Sequence, residues 1–385
     1  MRPPLPMMLA FVVLGSLAGC SPFRLQEFVR LRQGDWTMYG GNAGRTNVSP
    51  QAIVPPLTVR WEYDAGAGFS AHSASVAESL IFVGNLRGEV HAIRLRTGEA
   101  AGVYDFGSAV VGTPVIGKQM LYVALTRDEN SLVAYDLEAG VVKWEAKLGD
   151  VESSPLLLGE RLFVAALDGK VFCVDAASGA VLWSYALPSS RRSSAIRSSP
   201  AAAGELLVVG CDNGGLYALA LSDGKLCWSA TTGASIPGSP AIADGRVFVG
   251  SLDRSFYAFE LTTGKLLWSR PLDSKIFASP AVDGDHLFVG TSAGSLFALR
   301  PGTGEVLWQT SLKSVIGAAP LISGNVVYVA GLDRTLSAFS AETGGRVWQY
   351  TARGRIKTMP VIARGFLILM TEDRSVLGLS EGGAQ

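Results

Sequence analysis

The sequence predicts an all-β protein, an eight-bladed β-propeller of four-stranded antiparallel blades that is closed by an N-terminal strand. Two observations lead to this prediction. A segment of about 40 residues recurs along most of the 385-residue chain, and the composition combines 45 glycines with only 17% charged residues. A repeat of this length is typical of propeller blades. A composition rich in glycine and poor in charge suits short strands joined by tight turns.

A tryptophan ends six of the recurring segments and follows a glycine by four residues. Consecutive tryptophans are separated by 39, 45, 40, 40 and 40 residues. Helical repeats of similar length are not indicated, because the segments lack an apolar period of about 3.6 residues. The tryptophans are Trp144, Trp183, Trp228, Trp268, Trp308 and Trp348.

One unit, residues 236–268, shows how the strands are separated. Turns that contain Asp253 and Gly264 stand between runs rich in β-branched and aromatic residues. Such turn residues favour hairpins, so the unit predicts four antiparallel strands. These strands are residues 239–242, 246–250, 256–259 and 266–268.

The number of second strands predicts the number of blades. Eight such strands end near Gly84, Ala124, Ala165, Gly210, Gly250, Gly290, Ala330 and Met370. The eighth copy stops after residues 376–379 without a tryptophan-bearing fourth strand, but a strand of that kind stands earlier, at residues 57–63. We expect this early strand to complete the last blade, since a closed ring leaves no blade unpaired.

Residues 1–19 have the pattern of an export signal. Arg2 supplies a positive charge, and the apolar run that follows is too short and wrongly flanked for an ordinary spanning helix. Residues 17–20 (LAGC) resemble a bacterial lipobox, which implies cleavage before Cys20 and lipid attachment to its sulfur. The alternative is a plain signal peptide with an accidental cysteine.

A lipid on Cys20 would anchor the protein to a membrane, because each buried CH₂ contributes roughly 0.8 kcal/mol. Ser21 stands where an aspartate would indicate retention in the inner membrane, so we expect the periplasmic side of the outer membrane. The predicted parts are a signal peptide (1–19), a lipidated leader or linker (20–56), the propeller (57–380) and a C-terminal tail (381–385).

The charge balance excludes one class of partner. Lys and Arg together number 33, as do Asp and Glu, so the formal net charge is zero. Binding to nucleic acid requires a basic excess that neutralises phosphates. We therefore expect no nucleic-acid partner.

The units resemble the PQQ-like (pyrroloquinoline quinone) propeller repeat. The similarity lies in a strand, a glycine, a turn, a second strand and a TGK turn before the tryptophan, as in residues 250–268. It extends over about residues 57–380, and the GH and WD signature of WD40 repeats is missing. In the family, each such tryptophan packs between neighbouring blades. The resemblance therefore implies a structural, blade-docking role for the six tryptophans, consistent with the large apolar area of an indole.

Two functional classes share this repeat, and the first is the BamB family of outer-membrane lipoproteins. Its layout is the one predicted here: a lipobox, a short leader and eight four-stranded blades. The resemblance implies a scaffold that has no catalytic, cofactor-binding or metal-binding residues. Its expected partners are the β-barrel assembly machinery and unfolded outer-membrane proteins, with the chain acting as a monomer within a complex.

The same resemblance suggests residues for partner binding. Ile196 and Arg197 match the position of an apolar–Arg patch that contacts the barrel-inserting partner in the family. The preceding connection, the longest between blades, contains Arg191 and Arg192. An arginine beside an apolar anchor suits an interface hot spot, whereas the alternative is a solvated loop. The acidic contacts expected at the next blade junction are not evident at residues 233–237.

The second class is the quinoprotein dehydrogenases, whose opening segment resembles residues 35–42 together with Arg45 and Pro50. Those enzymes hold a quinone and Ca²⁺ with a vicinal cysteine disulfide and a carboxylate cluster. This sequence has no adjacent cysteines, and Ca²⁺ needs several oxygen ligands. Such an enzyme and a ligand-binding propeller of the cell envelope are the alternatives to a scaffold.

The channel lining expected from the repeat also bears on this choice. We predict that residues two positions before each first-strand proline, or at the equivalent place in the first copy, line the channel. This ring is small and nearly uncharged and offers no metal cage. It consists of His72, Gly112, Ser153, Ser198, Gly238, Ala278, Ala318 and Thr358.

Overall fold

The computed structural model describes residues 25, 29–32, 34–126, 131–188 and 193–382, and these form eight four-stranded antiparallel sheets. Seven sheets are continuous in sequence, and the eighth is completed by the first strand of the chain. The predicted eight-bladed all-β propeller is therefore confirmed. None of the described residues belongs to a helix with the length and apolar character needed to cross a membrane.

The two inner strands of each blade follow one another closely in the chain. The first strands, in blade order 1 to 8, are β2 (Ser75–Ala77), β6 (Val115–Gly117), β10 (Leu156–Leu158), β14 (Ala201–Ala203), β18 (Ala241–Ala243), β22 (Ala281–Val282), β26 (Leu321–Ser323) and β30 (Val361–Ala363). The second strands are β3 (Leu80–Gly84), β7 (Met120–Ala124), β11 (Arg161–Ala165), β15 (Leu206–Gly210), β19 (Arg246–Gly250), β23 (Leu287–Gly290), β27 (Val326–Ala330) and β31 (Phe366–Met370). Their ends coincide with the eight positions predicted from the repeat.

The two outer strands follow in the same order. The third strands are β4 (Glu89–Arg94), β8 (Leu132–Asp136), β12 (Lys170–Asp175), β16 (Gly215–Ala220), β20 (Ser255–Glu260), β24 (Ser295–Leu299), β28 (Thr335–Ser340) and β32 (Ser375–Glu381). The fourth strands are β5 (Ala100–Asp105), β9 (Val141–Ala146), β13 (Val181–Ala186), β17 (Leu226–Thr231), β21 (Leu266–Pro271), β25 (Val306–Ser311), β29 (Arg346–Thr351) and, in blade 8, β1 (Leu57–Asp64).

Burial varies systematically from the channel to the rim. The second and third strands are almost entirely buried, because both faces of a blade pack against neighbouring blades; β16 is an example. The fourth strands alternate between exposed and half-buried residues, as in β21. First strands contact one another in at least five of the eight pairs of neighbouring blades. They therefore surround the central channel.

The N-terminal strand closes the ring. β1 pairs antiparallel with β32, from Leu57 opposite Glu381 to Asp64 opposite Ser375. Trp61 on β1 also donates a hydrogen bond from Nε1 to the carbonyl oxygen of Leu95 in blade 1, at 2.9 Å. The strand thus completes blade 8 and docks it on blade 1, as the sequence predicts.

The outer tryptophans connect each blade to the next. In five blades the indole N–H donates to a carbonyl oxygen in or beside the turn between the third and fourth strands of the following blade, at 2.8 to 3.2 Å. Trp348, next to the differently built blade 8, instead packs on the core there and stacks on Tyr350. The five pairs are Trp144–Ala176, Trp183–Leu221, Trp228–Leu261, Trp268–Pro301 and Trp308–Ala341.

A glycine of the following blade lies beneath the indole of five of these six tryptophans, and this contact explains why the glycine recurs in the repeat. Gly264 in blade 5 has a φ of +70°, and a Cβ on it would stand 2.4 Å from the ring of Trp228 in blade 4. Glycine tolerates this left-handed conformation without a side chain that would meet the ring. The tryptophan of one repeat therefore leaves room only for a glycine at this turn position of the next repeat.

We predict that Gly264→Ala destabilises the propeller much more than Gly245→Ala. Gly245 lies in the same blade with the same φ of +70°, but no atom lies within 4 Å of its ideal Cβ. The left-handed conformation alone should cost about 1 kcal/mol, and overpacking against the indole should add about 1–3 kcal/mol. Urea unfolding of both variants measures the difference. Equal midpoints would contradict the role of the indole contact.

Candidate binding site at the channel mouth

The propeller has two chemically different faces. The antiparallel strand order puts the connections between blades, and the turns between second and third strands, on one face, the mouth face. The other turns lie on the opposite face, the leader face. The chain before β1 crosses the leader face of blade 2, where the Leu25 amide donates to the Leu137 carbonyl oxygen and the Val29 amide to Gln119 Oε1, both at 2.9 Å.

Residues 36–49, the plug, then enter the channel and run along the inner edges of the first strands. Gly44 approaches blade 5 so closely that a Cβ on it would stand 2.6 Å from the carbonyl oxygen of Ile242. The plug fills the channel on the leader-face side. Backbone hydrogen bonds of 2.7 to 3.1 Å join it to six blades, through Val76, Ile116, Ala202, Ile242, Val282 and Ile322.

Charged side chains of the leader reach the other two blades. Arg45 is fully buried, and its guanidinium donates to the carbonyl oxygens of Pro155 in blade 3 and Pro200 in blade 4, at 3.0 and 2.9 Å. Burial lowers the pKa of Arg45 to about 9, so the side chain stays charged at neutral pH. Asp35, just before the plug, pairs with Arg364 in blade 8 at 2.8 Å.

A belt of hydroxyl groups links the starts of neighbouring blades. The backbone amide of each belt residue donates to the hydroxyl of the next at 2.8 to 3.0 Å. The belt ends at Ser279, whose Oγ is 3.1 Å from the hydroxyl oxygen of Tyr39 in the plug. The sequence contains a signal for this belt, because its members in blades 2 to 6 directly precede the first-strand prolines. The belt is Ser73, Thr113, Ser154, Ser199, Ser239 and Ser279.

On the mouth side of the plug, the channel holds a cavity of about 300 Å³. Tyr39 and His72 line its inner end. Its wall comes from residues three positions before the first-strand prolines, or at the equivalent place in blade 1. These are Ala71, Val111, Glu152, Arg197, Pro237, Phe277 and Gly317.

The residues that line the channel are therefore mainly those one position earlier in the sequence than the predicted ones. Of the eight predicted residues, His72, Gly238 and Ala278 line the cavity. The hydroxyls of Ser153 and Ser198 instead donate to carbonyl oxygens in the second strands of their own blades, both at 2.8 Å. Adjacent residues of extended chain point to opposite sides, so the neighbouring position faces the channel. The prediction of a nearly uncharged lining was wrong for this reason.

Three charged side chains interact at the mouth, and two of them, Glu152 and Arg197, line the cavity. Nε of Arg197 lies 3.3 Å from Oε2 of Glu152 in blade 3, and its Nη1 donates to Asp212 in blade 4. The hydroxyl of Ser235 donates to the other oxygen of Asp212 at 2.9 Å. These acidic partners of Arg197 lie outside residues 233–237, where the family pattern placed acidic contacts. The Arg197 side chain is still 47% exposed.

The residues proposed for partner binding are differently placed. Arg197 is at the mouth, but Ile196 is 0% exposed and belongs to the apolar core between blades 3 and 4. The assignment of Ile196 to an exposed patch is therefore wrong, because its side chain packs inward. Arg191, Arg192 and the predicted lipidation site Cys20 lie outside the described residues.

His72 lies at the inner end of the cavity. Its ring meets that of Tyr39 edge to face, with centroids 5.3 Å apart, and its Nδ1 is 3.3 Å from the hydroxyl oxygen of Ser70. Burial, assisted by the nearby Arg45 guanidinium, lowers the pKa of His72 to about 4. The imidazole is therefore neutral at neutral pH.

The residues at the mouth do not fit the quinone and calcium site of the second resemblance. Ca²⁺ requires several oxygen ligands, usually with carboxylates among them. Glu152, the carboxylate that lines the cavity, is paired with Arg197. Across the described ranges, no group of three or more His, Cys, Asp or Glu side chains is placed to hold a metal ion.

Comparison with known protein families assigns the chain. A family model described as outer membrane protein assembly factor BamB matches residues 54–199, 193–317 and 313–385. The chain belongs to the BamB family. None of the curated proteins matches its sequence. The BamB assignment thus rests on matched segments that together cover the whole propeller.

Solved structures share the fold at low sequence identity. BamB from Moraxella catarrhalis is 19% identical, with a TM-score of 0.71 over 84% of this chain and 99% of that chain. Quinohemoprotein alcohol dehydrogenase from Comamonas testosteroni is 15% identical, with a TM-score of 0.77 over 92% and 82%. The computationally designed Ika8 protein is 15% identical, with a TM-score of 0.72 over 83% and 98%. These similarities show the fold alone.

We predict that His72 makes the propeller sensitive to acid. Its folded-state pKa lies below its ordinary value of 6.5, so the unfolded chain binds the additional proton. The free energy of unfolding should therefore fall as the pH drops from about 6.5 to about 4. His72→Asn should reduce this fall by about 1–2 kcal/mol, after allowance for partial exposure. Urea unfolding at pH 7 and pH 4.5 measures it.

His286→Asn is the matched control, because His286 lies in the turn between the first and second strands of blade 6 and does not line the channel cavity. We expect this control to retain the acid sensitivity of the parent. An identical pH dependence in His72→Asn and the parent would contradict the prediction.

Proposed function

We propose that this member of the BamB family is a non-enzymatic scaffold that assists the assembly and insertion of β-barrel proteins in the outer membrane. It would act on the periplasmic side, anchored by lipid on Cys20, as a monomer within a complex with the β-barrel assembly machinery. The family assignment supports this proposal. The proposal includes no cofactor.

The observation that best supports this proposal is Arg197, which is held in place at the mouth and remains exposed. Glu152 and Asp212 hold the Arg197 guanidinium from two blades, while about half of the side chain remains exposed. Holding the side chain in advance reduces the entropy lost when a partner binds. The planar guanidinium can still donate to a carboxylate or carbonyl group of that partner.

An apolar contact is available on the same rigid wall. Phe277, two blades from Arg197, is 44% exposed at the mouth. Arginine and aromatic side chains commonly dominate the binding energy of protein interfaces. Phe277 thus replaces the buried Ile196 as the apolar part of the proposed interface.

Contact with unfolded outer-membrane proteins would use a different part of the propeller. Each fourth strand stands at the edge of its sheet, as β21 does after β20. An extended segment can add to such an edge through backbone hydrogen bonds. This chemistry suits a client whose own strands are not yet paired.

We predict that Arg197→Ala weakens co-purification with the assembly machinery about thirtyfold, the effect of losing a hot spot of about 2 kcal/mol. Folding should change little, because half-exposed ion pairs contribute at most about 1 kcal/mol each. The measurement is a mild-detergent pull-down of the mature lipoprotein followed by quantitative mass spectrometry. Arg254→Ala, in an exposed mouth-face turn of blade 5, is the control.

Equal recovery of assembly subunits with both variants would remove Arg197 from the interface. Purification of the parent without any assembly subunit would count against the scaffold role itself. Dye-linked alcohol or sugar oxidation after addition of quinone and Ca²⁺ would support a dehydrogenase instead.

A further inference from the structure

A second cavity lies on the leader face, between blades 2 and 3. Its volume is about 690 Å³, compared with about 300 Å³ for the cavity at the mouth. A cavity of this size with a mainly apolar lining suits a largely apolar small molecule. The apolar residues that line it include Leu31, Met38, Ile116, Met120 and Leu157.

Two lysines and Glu160 are the charged residues that line the cavity. Nζ of Lys118 is 3.4 Å from Oε1 of Glu160, and both side chains are at least 80% exposed. Such an exposed pair is weak, so Lys118 can exchange Glu160 for another anion. Lys143, 48% exposed, pairs with Asp136 at 3.1 Å. An apolar interior with cations at its rim matches an unbranched acyl chain that ends in an anionic group.

The described part of the leader begins on the same face as this cavity. Leu25 donates its amide proton to the carbonyl oxygen of Leu137, the residue after Asp136 at the rim. Cys20 precedes Leu25 by five residues, a distance that extended chain spans in at most about 18 Å. Leu25 therefore lies on the same face of the propeller as the cavity.

We propose that the cavity between blades 2 and 3 binds one free fatty acid, with Lys118 beside its carboxylate. Met38 and Met120 suit such a ligand, because methionine side chains adapt to irregular and flexible apolar groups. An acyl chain of a lipid on Cys20 would end in an uncharged amide or ester group, so the position of Lys118 at the rim favours a free fatty acid. This site is on the face opposite Arg197 and does not depend on the proposed protein partner.

The test uses the mature chain, residues 20–385, with Cys20→Ser to prevent lipidation and palmitate as the probe. Native mass spectrometry below the micellar concentration of palmitate should show one molecule bound per chain. Leu31→Asp should weaken binding about tenfold, because it places a carboxylate on the apolar wall. Lys118→Glu should weaken it by a similar factor, because it repels the carboxylate of palmitate.

Both substitutions have matched controls. Leu86→Asp changes a leucine of similar exposure, 47% against 44% for Leu31, on the mouth face. Lys265→Glu changes an exposed lysine in a leader-face turn of blade 5. The backbone of Lys118, with φ of +51°, accepts glutamate, since Glu78 has φ of +53° at the equivalent place in blade 1.

Binding that survives in both controls and is weakened in both cavity variants would support the site. Failure of the Cys20→Ser chain to form a one-to-one complex would overturn it, as would equal binding by all four variants. The lipidated chain then identifies the source. Loss of palmitate binding on lipidation would overturn the assignment to a free fatty acid, because the lipid on Cys20 would then occupy the cavity, whereas unchanged binding supports it.

Discussion

The inner edges of the first strands are the constraint on which the rest of the structure depends. Each edge faces the channel with backbone groups that need hydrogen-bond partners once water is excluded. The plug supplies these partners in six blades, while Arg45 and Asp35 reach blades 3 and 8. One segment of chain thus contacts every blade. Because the mouth residues directly precede the first strands, the plug also holds the wall that carries Arg197.

This arrangement gives the two ends of the channel different properties. The plug occupies the leader-face end, and a shallow cavity with paired charges remains at the mouth. A rigid wall with an exposed guanidinium and an exposed Phe277 is better suited to a protein surface than to an enclosed cofactor. The leader face carries the larger apolar cavity and the segment that leads back toward Cys20. The proposed partner binding and the proposed fatty-acid binding thus concern opposite faces.

The sequence predicted the fold well because each blade repeats the same local chemistry. Gly264 and Trp228 show why, since a steric requirement between neighbouring blades recurs as a visible spacing. The site was predicted less well. Ile196 and Arg197 are adjacent, and their residue types alone did not show that only Arg197 faces the mouth. The function of Arg45 was hidden because its acceptors are backbone carbonyl oxygens 110 and 155 residues away.

The most direct test of the central role of the plug is hydrogen exchange at the four amides that donate to it from blades 4 to 7. These belong to Ala202, Ile242, Val282 and Ile322. The structure predicts that they exchange as slowly as amides in the middle of the second strands, because both kinds are hydrogen-bonded and buried. Exchange as fast as that of the exposed leader-face turns would show that the plug does not hold the blades.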